Sequence, residues 1–350
     1  MDNKEIKEGI KGVKNFFLDR RVQIGLIVLL MVAILALGTL IRVQNSSLLI
    51  DQTTEEYIPL ALDPYYFMRI SETIVETGGD LPAVDPLRNP VRATGWSPEI
   101  LPDSTVGIFK VLNILGVEKG LGFAVVINPV VFFVLGALVF FFLIFYLTKS
   151  KWIALLSTFM LSIIPPYLYR TMMGFADHES IGMFAFFSAL LVFAISLRIG
   201  KKKSNLTNNI LLGLLLGLVT TFTIISWGGV AKFLFMIIPL GFLVYWLVHC
   251  KEKDSGNKIW FYGLWLVSVL LFNSVFGIAI SETVRRYLLN AVGFFSLLVL
   301  GIIIIDYLMI KYLPRVKSKI SEDYRVFFST ALTIVLGGIL YQIFVGNVFH

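Results

Sequence analysis

The sequence is short of charge, cysteine and histidine, and each shortage excludes something. Charged residues are 15% of the 350 positions, against roughly a quarter in a water-soluble chain, which excludes a soluble globular domain. The single cysteine, Cys250, excludes an internal disulfide and leaves no Cys pair for a zinc site. Of the three histidines, His249 and His350 stand alone and far apart in the predicted topology, so they build no metal site. A cleavable leader is lacking too. The first apolar run, residues 22–43, follows a basic segment and has no small-residue cleavage site.

What is present is apolar surface in long blocks. Hydrophobic residues reach 57% and the mean hydropathy is +0.82. The blocks predict helices over 22–43, 122–147, 151–168, 181–199, 207–226, 230–249, 258–280, 287–311 and 326–345. Each approaches the roughly 20 residues that cross a hydrocarbon core. The expected fold class is therefore an all-α polytopic membrane protein with about nine spans. Basic residues cluster before residue 22 and in alternate loops, among them Lys201, Lys202 and Lys203, then Arg315, Lys317 and Lys319. That asymmetry puts the N-terminus, residues 1–21, in the cytoplasm. It also explains the net charge of +7 without any nucleic-acid partner.

Residues 44–121 break the hairpin rhythm. This long first external loop is rich in Pro and Gly and holds nearly half of the 23 acids; loops of such length are usually functional. Within it, residues 64–75 predict a short amphipathic helix capped by Asp63. Residues 106–115 predict a second, lying along the membrane surface.

Two acidic motifs fall on the predicted outer face: Ala61-Leu62-Asp63-Pro64-Tyr65-Tyr66 and Gly174-Phe175-Ala176-Asp177-His178-Glu179. In an extended segment Asp177 and Glu179 project to the same side. With Asp63 they would form an oxygen-rich cluster suited to Mg²⁺ or Mn²⁺. The alternative is structural: Asp63 caps a helix and Asp177-His178-Glu179 starts another.

The wording of these motifs, with Arg170-Thr171-Met172-Met173-Gly174 between them, resembles the catalytic subunit of oligosaccharyltransferases, in its archaeal, AglB-type form. Ser226-Trp227-Gly228-Gly229 is similar to a Trp-containing external loop of that family. The resemblance implies a metal-dependent GT-C type glycosyltransferase. It implies transfer of a glycan from a dolichol-type lipid-linked phosphate or pyrophosphate to Asn in Asn-X-Ser/Thr sequons. Carried over by motif, Asp63, Asp177 and Glu179 match the metal-site acids, Asp63 the carboxylate that engages the acceptor amide, and Arg170 an arginine near the peptide.

There are departures. The first motif often carries two acids, whereas Ala61 stands at the earlier position. The family continues past the ninth helix, with a further catalytic Glu and a soluble peptide-gripping domain. Ending at His350 thus reads as a shortened protein, with residues 22–350 its GT-C domain and little or no activity alone. Ile280-Ser281-Glu282-Thr283 looks like the motif bearing that Glu, but it falls two predicted helices too early. Arg285 and Arg286 face outward as candidates for donor phosphate or membrane lipid headgroups. Asp306, near Lys311, is read as snorkelling to the cytoplasmic surface, and Asn45-Ser46-Ser47 as an outward sequon open to glycosylation. Two other functions stay open: another polyprenyl-phosphate-dependent GT-C mannosyltransferase, and a lipid or ion transporter, which would place acids at the bilayer midplane.

Overall fold

The computed structural model describes residues 19–82, 84–85, 92–93, 100–202, 205–252, 255–290, 292–312 and 322–344. The chain forms two compact units. One takes in Met1–Leu81 and Leu101–Phe184, the other Pro82–Ile100 and Ala185–His350.

The first unit opens with α1 (Arg20–Val43), whose entry is fixed by Asp19 accepting the Arg21 N–H at 2.7 Å. Two shorter helices follow, α2 (Leu62–Thr77) and α3 (Ile100–Ile114). Both expected loop helices are thus present and longer than predicted. One detail is corrected: Ala61, not Asp63, is the N-cap of α2, and it makes no side-chain capping bond. Asp63 lies in the first turn, where an acid favours the helix dipole. Next come α4 (Gly120–Thr148), α5 (Lys151–Ile163) and α6 (Pro165–Arg170). A single helix over 151–168 was expected. Instead it breaks at Ile164, whose ψ of 124° is extended, because the ring of Pro165 excludes the preceding residue from helical geometry. That break re-aims the chain toward the second acidic motif. Ile27, Met31, Phe141, Ala154 and Leu155 pack the middle of this unit, and Leu49, Val126, Val130 and Met173 pack beside the motif.

The boundary between units falls within α7 (His178–Lys202). The second unit carries a two-residue antiparallel ladder, β1 (Val84–Asp85) with β2 (Arg92–Ala93). Its body is α8 (Leu206–Ser226), α9 (Gly228–His249), α10 (Ser255–Val275), α11 (Ile280–Thr283), α12 (Phe294–Tyr312) and α13 (Glu322–Phe344). Helices α8 and α10 approach closely because Gly213 and Gly217 face the partner; a Cβ at Gly213 would meet the Phe261 carbonyl at 2.6 Å. Trp265 donates to Thr220 Oγ1 across the same contact at 3.0 Å. The helix expected from residue 287 starts at Phe294. Ahead of it Val284–Leu288 makes one π-helical turn, and Asn290 accepts the Gly293 N–H at 2.6 Å.

Among the described residues, seven helices are long and apolar enough to cross a membrane: α1, α4, most of α7, α8, α9, α10 and α12; Lys151–Ile163 and Tyr324–Ile339 are shorter apolar stretches. The protein is a multi-pass membrane protein. The reading of Asp306 is overturned. It is 1% exposed and pairs with Arg325 Nε at 2.6 Å, while Trp246 Nε1 donates to its other oxygen at 2.9 Å.

Candidate active site

The second acidic motif sits in a loop, residues 171–177, stitched to four other segments of its unit. The Met173 N–H donates to the Arg42 carbonyl at 3.0 Å, and the Gly174 N–H to the Val126 carbonyl at 2.8 Å. The Leu60 N–H donates back to the Gly174 carbonyl at 2.9 Å, and Asn45 Nδ2 to the Met173 carbonyl at 2.9 Å. Gly174 is obligatory, with φ +91° and Leu49 and Leu60 crowding the place a Cβ would take. The amide of Asn45 thereby ties the end of α1 to the loop.

Asp177 is 5% exposed, and its Oδ1 accepts the His178 N–H at 2.7 Å, fixing the start of α7. Glu179 lies in the first turn of that helix. The extended geometry expected for 177–179 is therefore absent, and the two acids are brought together by a loop-to-helix turn. Glu179 Oε1 pairs with Arg170 Nη1 at 2.9 Å, whereas Glu179 Oε2 is buried with no hydrogen-bond partner. Arg170 ends α6, 45% exposed, with its guanidinium 4.8 Å from the Phe175 ring centroid.

Asp63 is exposed in the first turn of α2. The Leu60–Gly174 bond ties the stretch three residues before Asp63 to the stretch three residues before Asp177. One turn on, the Phe67 ring packs edge-on against His178, centroids 5.2 Å apart. Among the described residues, no three His, Cys, Asp or Glu side chains are gathered as a group that could hold a metal ion. The three-acid cage is thus not assembled as drawn from the sequence. What is assembled is a pair, buried Asp177 and half-buried Glu179, with one buried Glu179 oxygen left over. A lone buried carboxylate oxygen beside a second acid is costly, and a hard cation with oxygen preference fits it.

Arg285 and Arg286 belong to the other unit and are exposed. Both pair with Glu282, Arg285 Nη2 at 2.9 Å. The Arg285 hydrogen bond holds the Glu282 carboxyl below its ordinary range. The residue that sequence reasoning missed is Arg42, fully buried near the end of α1. Its signal was visible, since an ionisable residue inside an apolar span is a functional flag by default.

A family model described as oligosaccharyl transferase STT3, N-terminal, matches residues 29–348. The chain belongs to the oligosaccharyl transferase STT3 family. It is 23% identical over 302 residues to a dolichyl-phosphooligosaccharide-protein glycotransferase of Methanocaldococcus jannaschii, covering 77% of this chain and 32% of that protein. Its fold is similar to that of the Archaeoglobus fulgidus oligosaccharyltransferase AglB, solved with an inhibitory peptide and a dolichol-phosphate. The TM-score is 0.67 at 19% identity, over 89% of this chain and 37% of that one. A second Archaeoglobus fulgidus structure, in complex with Zn and sulfate, gives a TM-score of 0.67 at 18% identity, over 90% of this chain and 39% of that one. This STT3-family chain spans about a third of the length of the curated relative it matches.

Proposed function

We propose that this chain is the membrane portion of an oligosaccharyltransferase catalytic subunit. It would transfer a glycan from a dolichol-type lipid-linked phosphate or diphosphate to the side-chain amide of Asn in Asn-X-Ser/Thr. The observation that carries this reading is the loop 171–177, held against the Asp63 segment, with buried Asp177, half-buried Glu179 and an unpartnered Glu179 oxygen. The relatives' names and folds support it, since similar structures were solved with a dolichol-phosphate and with an acceptor peptide containing an NVT sequon.

In this reading residues 1–21 are cytoplasmic, residues 22–350 form the GT-C transmembrane domain, and the acids face outward, as the loop basicity supports. An amide nitrogen is a poor nucleophile, so a carboxylate must engage it. Asp63, exposed at the start of α2, would accept the amide N–H as the nitrogen bonds the sugar carbon and the bond to the donor phosphate breaks. Arg170 stands beside the acids as the cationic wall nearest the peptide. With Asp63 left to the acceptor amide, Asp177 and Glu179 would hold a divalent cation, Mg²⁺ or Mn²⁺. When bound, that cation supplies Lewis-acid stabilisation to the charge gathering on the leaving phosphate. Arg285 and Arg286 remain candidates for donor phosphate.

The test is Mn²⁺ binding by the detergent-purified chain, followed by electron paramagnetic resonance. Saturable binding in the wild type, lost in Asp177→Ala, is expected. A folded wild type that takes up no Mn²⁺, also when extended past His350 with the family's remaining segments, would refute the cation site.

A further inference from the structure

Arg42 is the costliest side chain in the first unit. It is fully buried in a membrane-length helix, where a charge carries a penalty unless it is paired or hydrogen-bonded. Among the described residues it meets no carboxylate, and its Nη2 has no partner. Its other donors go to neutral acceptors: Nε to Thr171 Oγ1 at 2.7 Å, Nη1 to the Gly38 carbonyl at 2.9 Å and to the Ser162 carbonyl at 3.0 Å. The guanidinium lies 3.5 Å from the centroid of the Phe133 ring. An apolar residue of similar volume would avoid the penalty, so bulk stability does not account for an arginine here.

Those contacts achieve a fixed geometry. The guanidinium joins the last turn of α1 to the end of α5 and to Thr171, the residue after Arg170. Thr171 is itself fully buried and passes the bond on, its hydroxyl donating to the Tyr167 carbonyl at 2.5 Å. The backbone of Arg42 completes the clamp, because its carbonyl accepts the Met173 N–H at 3.0 Å. Arg42 therefore grips both sides of Met172. Immediately N-terminal stands Arg170, the partner of Glu179; C-terminal stand Gly174 and then Asp177. The α5–α6 break at Ile164 leaves this stretch without a continuous helix to orient it, so something else must.

We infer that Arg42 is a positioning residue for the acidic loop: it touches no reactant, and it sets Arg170 and the 171–177 backbone so that Asp177 and Glu179 hold their relative places. This rests on the reading above that the two acids serve a cation. A partner of this kind, one shell behind the ligands, is worth about 10–100-fold in metal affinity when removed.

The experiment compares wild type, Arg42→Lys, Arg42→Met and Thr171→Val as detergent-purified chains. Two readouts are taken on each: Mn²⁺ affinity by electron paramagnetic resonance, and amide hydrogen exchange by mass spectrometry. Thr171→Val keeps the arginine and removes its side-chain grip on the loop, together with the Thr171–Tyr167 bond, so it decides the matter if Arg42→Met does not fold. The expected result is a loss of Mn²⁺ affinity of about tenfold or more, with faster exchange confined to residues 170–177 and unchanged protection of α8 and α10. Arg42→Lys should recover part of both. Wild-type affinity in folded Thr171→Val, or faster exchange with Mn²⁺ affinity unmoved, would overturn the inference and leave Arg42 a structural group. Absence of Mn²⁺ binding in the wild type would instead refute the cation reading. The role inferred for Arg42 in placing the acids for a cation would fall with it.

Discussion

Removing Asp306 tests most directly how this fold carries buried charge. Its carboxylate is 1% exposed, accepts Arg325 Nε at 2.6 Å and accepts Trp246 Nε1 at 2.9 Å; Arg325 also donates to Cys250 Sγ at 3.2 Å. Asp306→Ala leaves the Arg325 guanidinium, with 11% side-chain exposure, charged and without its counter-ion. Breaking a buried pair from one side costs about 3–5 kcal/mol, and the bereft Trp246 donor falls within that range. Asp306→Asn keeps an acceptor for Trp246 and should lose less. The double variant Asp306→Ala/Arg325→Ala removes the orphaned charge together with its cause. It should be more stable than the sum of the two single losses by about 0.5–3 kcal/mol. The assay is reversible denaturant unfolding in mixed micelles, read as a double-mutant cycle. A surface-snorkelling aspartate would give a change within about 0.5 kcal/mol. That result, or strict additivity in the cycle, would refute the account of Asp306 as a buried clasp.

Further outcomes follow from the same contacts. Gly174→Ala puts a side chain at φ +91° against Leu49 and Leu60, and should destabilise the first unit by about 1–3 kcal/mol, while weakening Mn²⁺ binding; wild-type melting and affinity would count against the loop geometry. Asp177→Asn should raise the melting temperature of the cation-free chain, by relieving repulsion toward half-buried Glu179, and abolish Mn²⁺ binding; a lower melting temperature would contradict that repulsion. Asn45 should carry no glycan when the chain is made in a glycosylating host, since its amide holds Met173; mass spectrometry finding a glycan there would disprove the tie. The Glu282–Arg285 link adds stability that is present above the ordinary carboxylate pKa of 4.5 and is lost as pH falls through the lower folded value. Hydrogen exchange across residues 280–290 should accordingly be steady at neutral pH and rise only below that window. A rise already near pH 6 would contradict the assigned sign.

How much was legible in advance depended on the range of the interaction concerned. Nine spans were expected from apolar block length, and seven of the described helices are long and apolar enough to cross, because crossing a hydrocarbon core constrains composition residue by residue. The break before Pro165 was written in the chain too, as a local steric rule, although the long apolar block 151–168 masked it. The Gly213–Gly217 spacing likewise announces a close helix contact without naming its partner. Asp63, Arg170, Asp177 and Glu179 were picked out as candidates by the wording of two short motifs, without any sign of which of them meet.

Tertiary structure alone decided which charges are buried and what they touch. Asp306 and Lys311 are neighbours in sequence, yet Asp306 turns inward to Arg325, nineteen residues on, because α12 and α13 pack there. Arg42 meets Thr171 across 129 residues, a pairing no periodicity encodes. Whether Glu179 keeps a free oxygen depended on Arg170 reaching only one of the two. Sequence fixes local conformation and hydrophobic length through short-range sterics and solvation, whereas the match of a buried charge to its partner is a long-range event that exists only once the helices have packed.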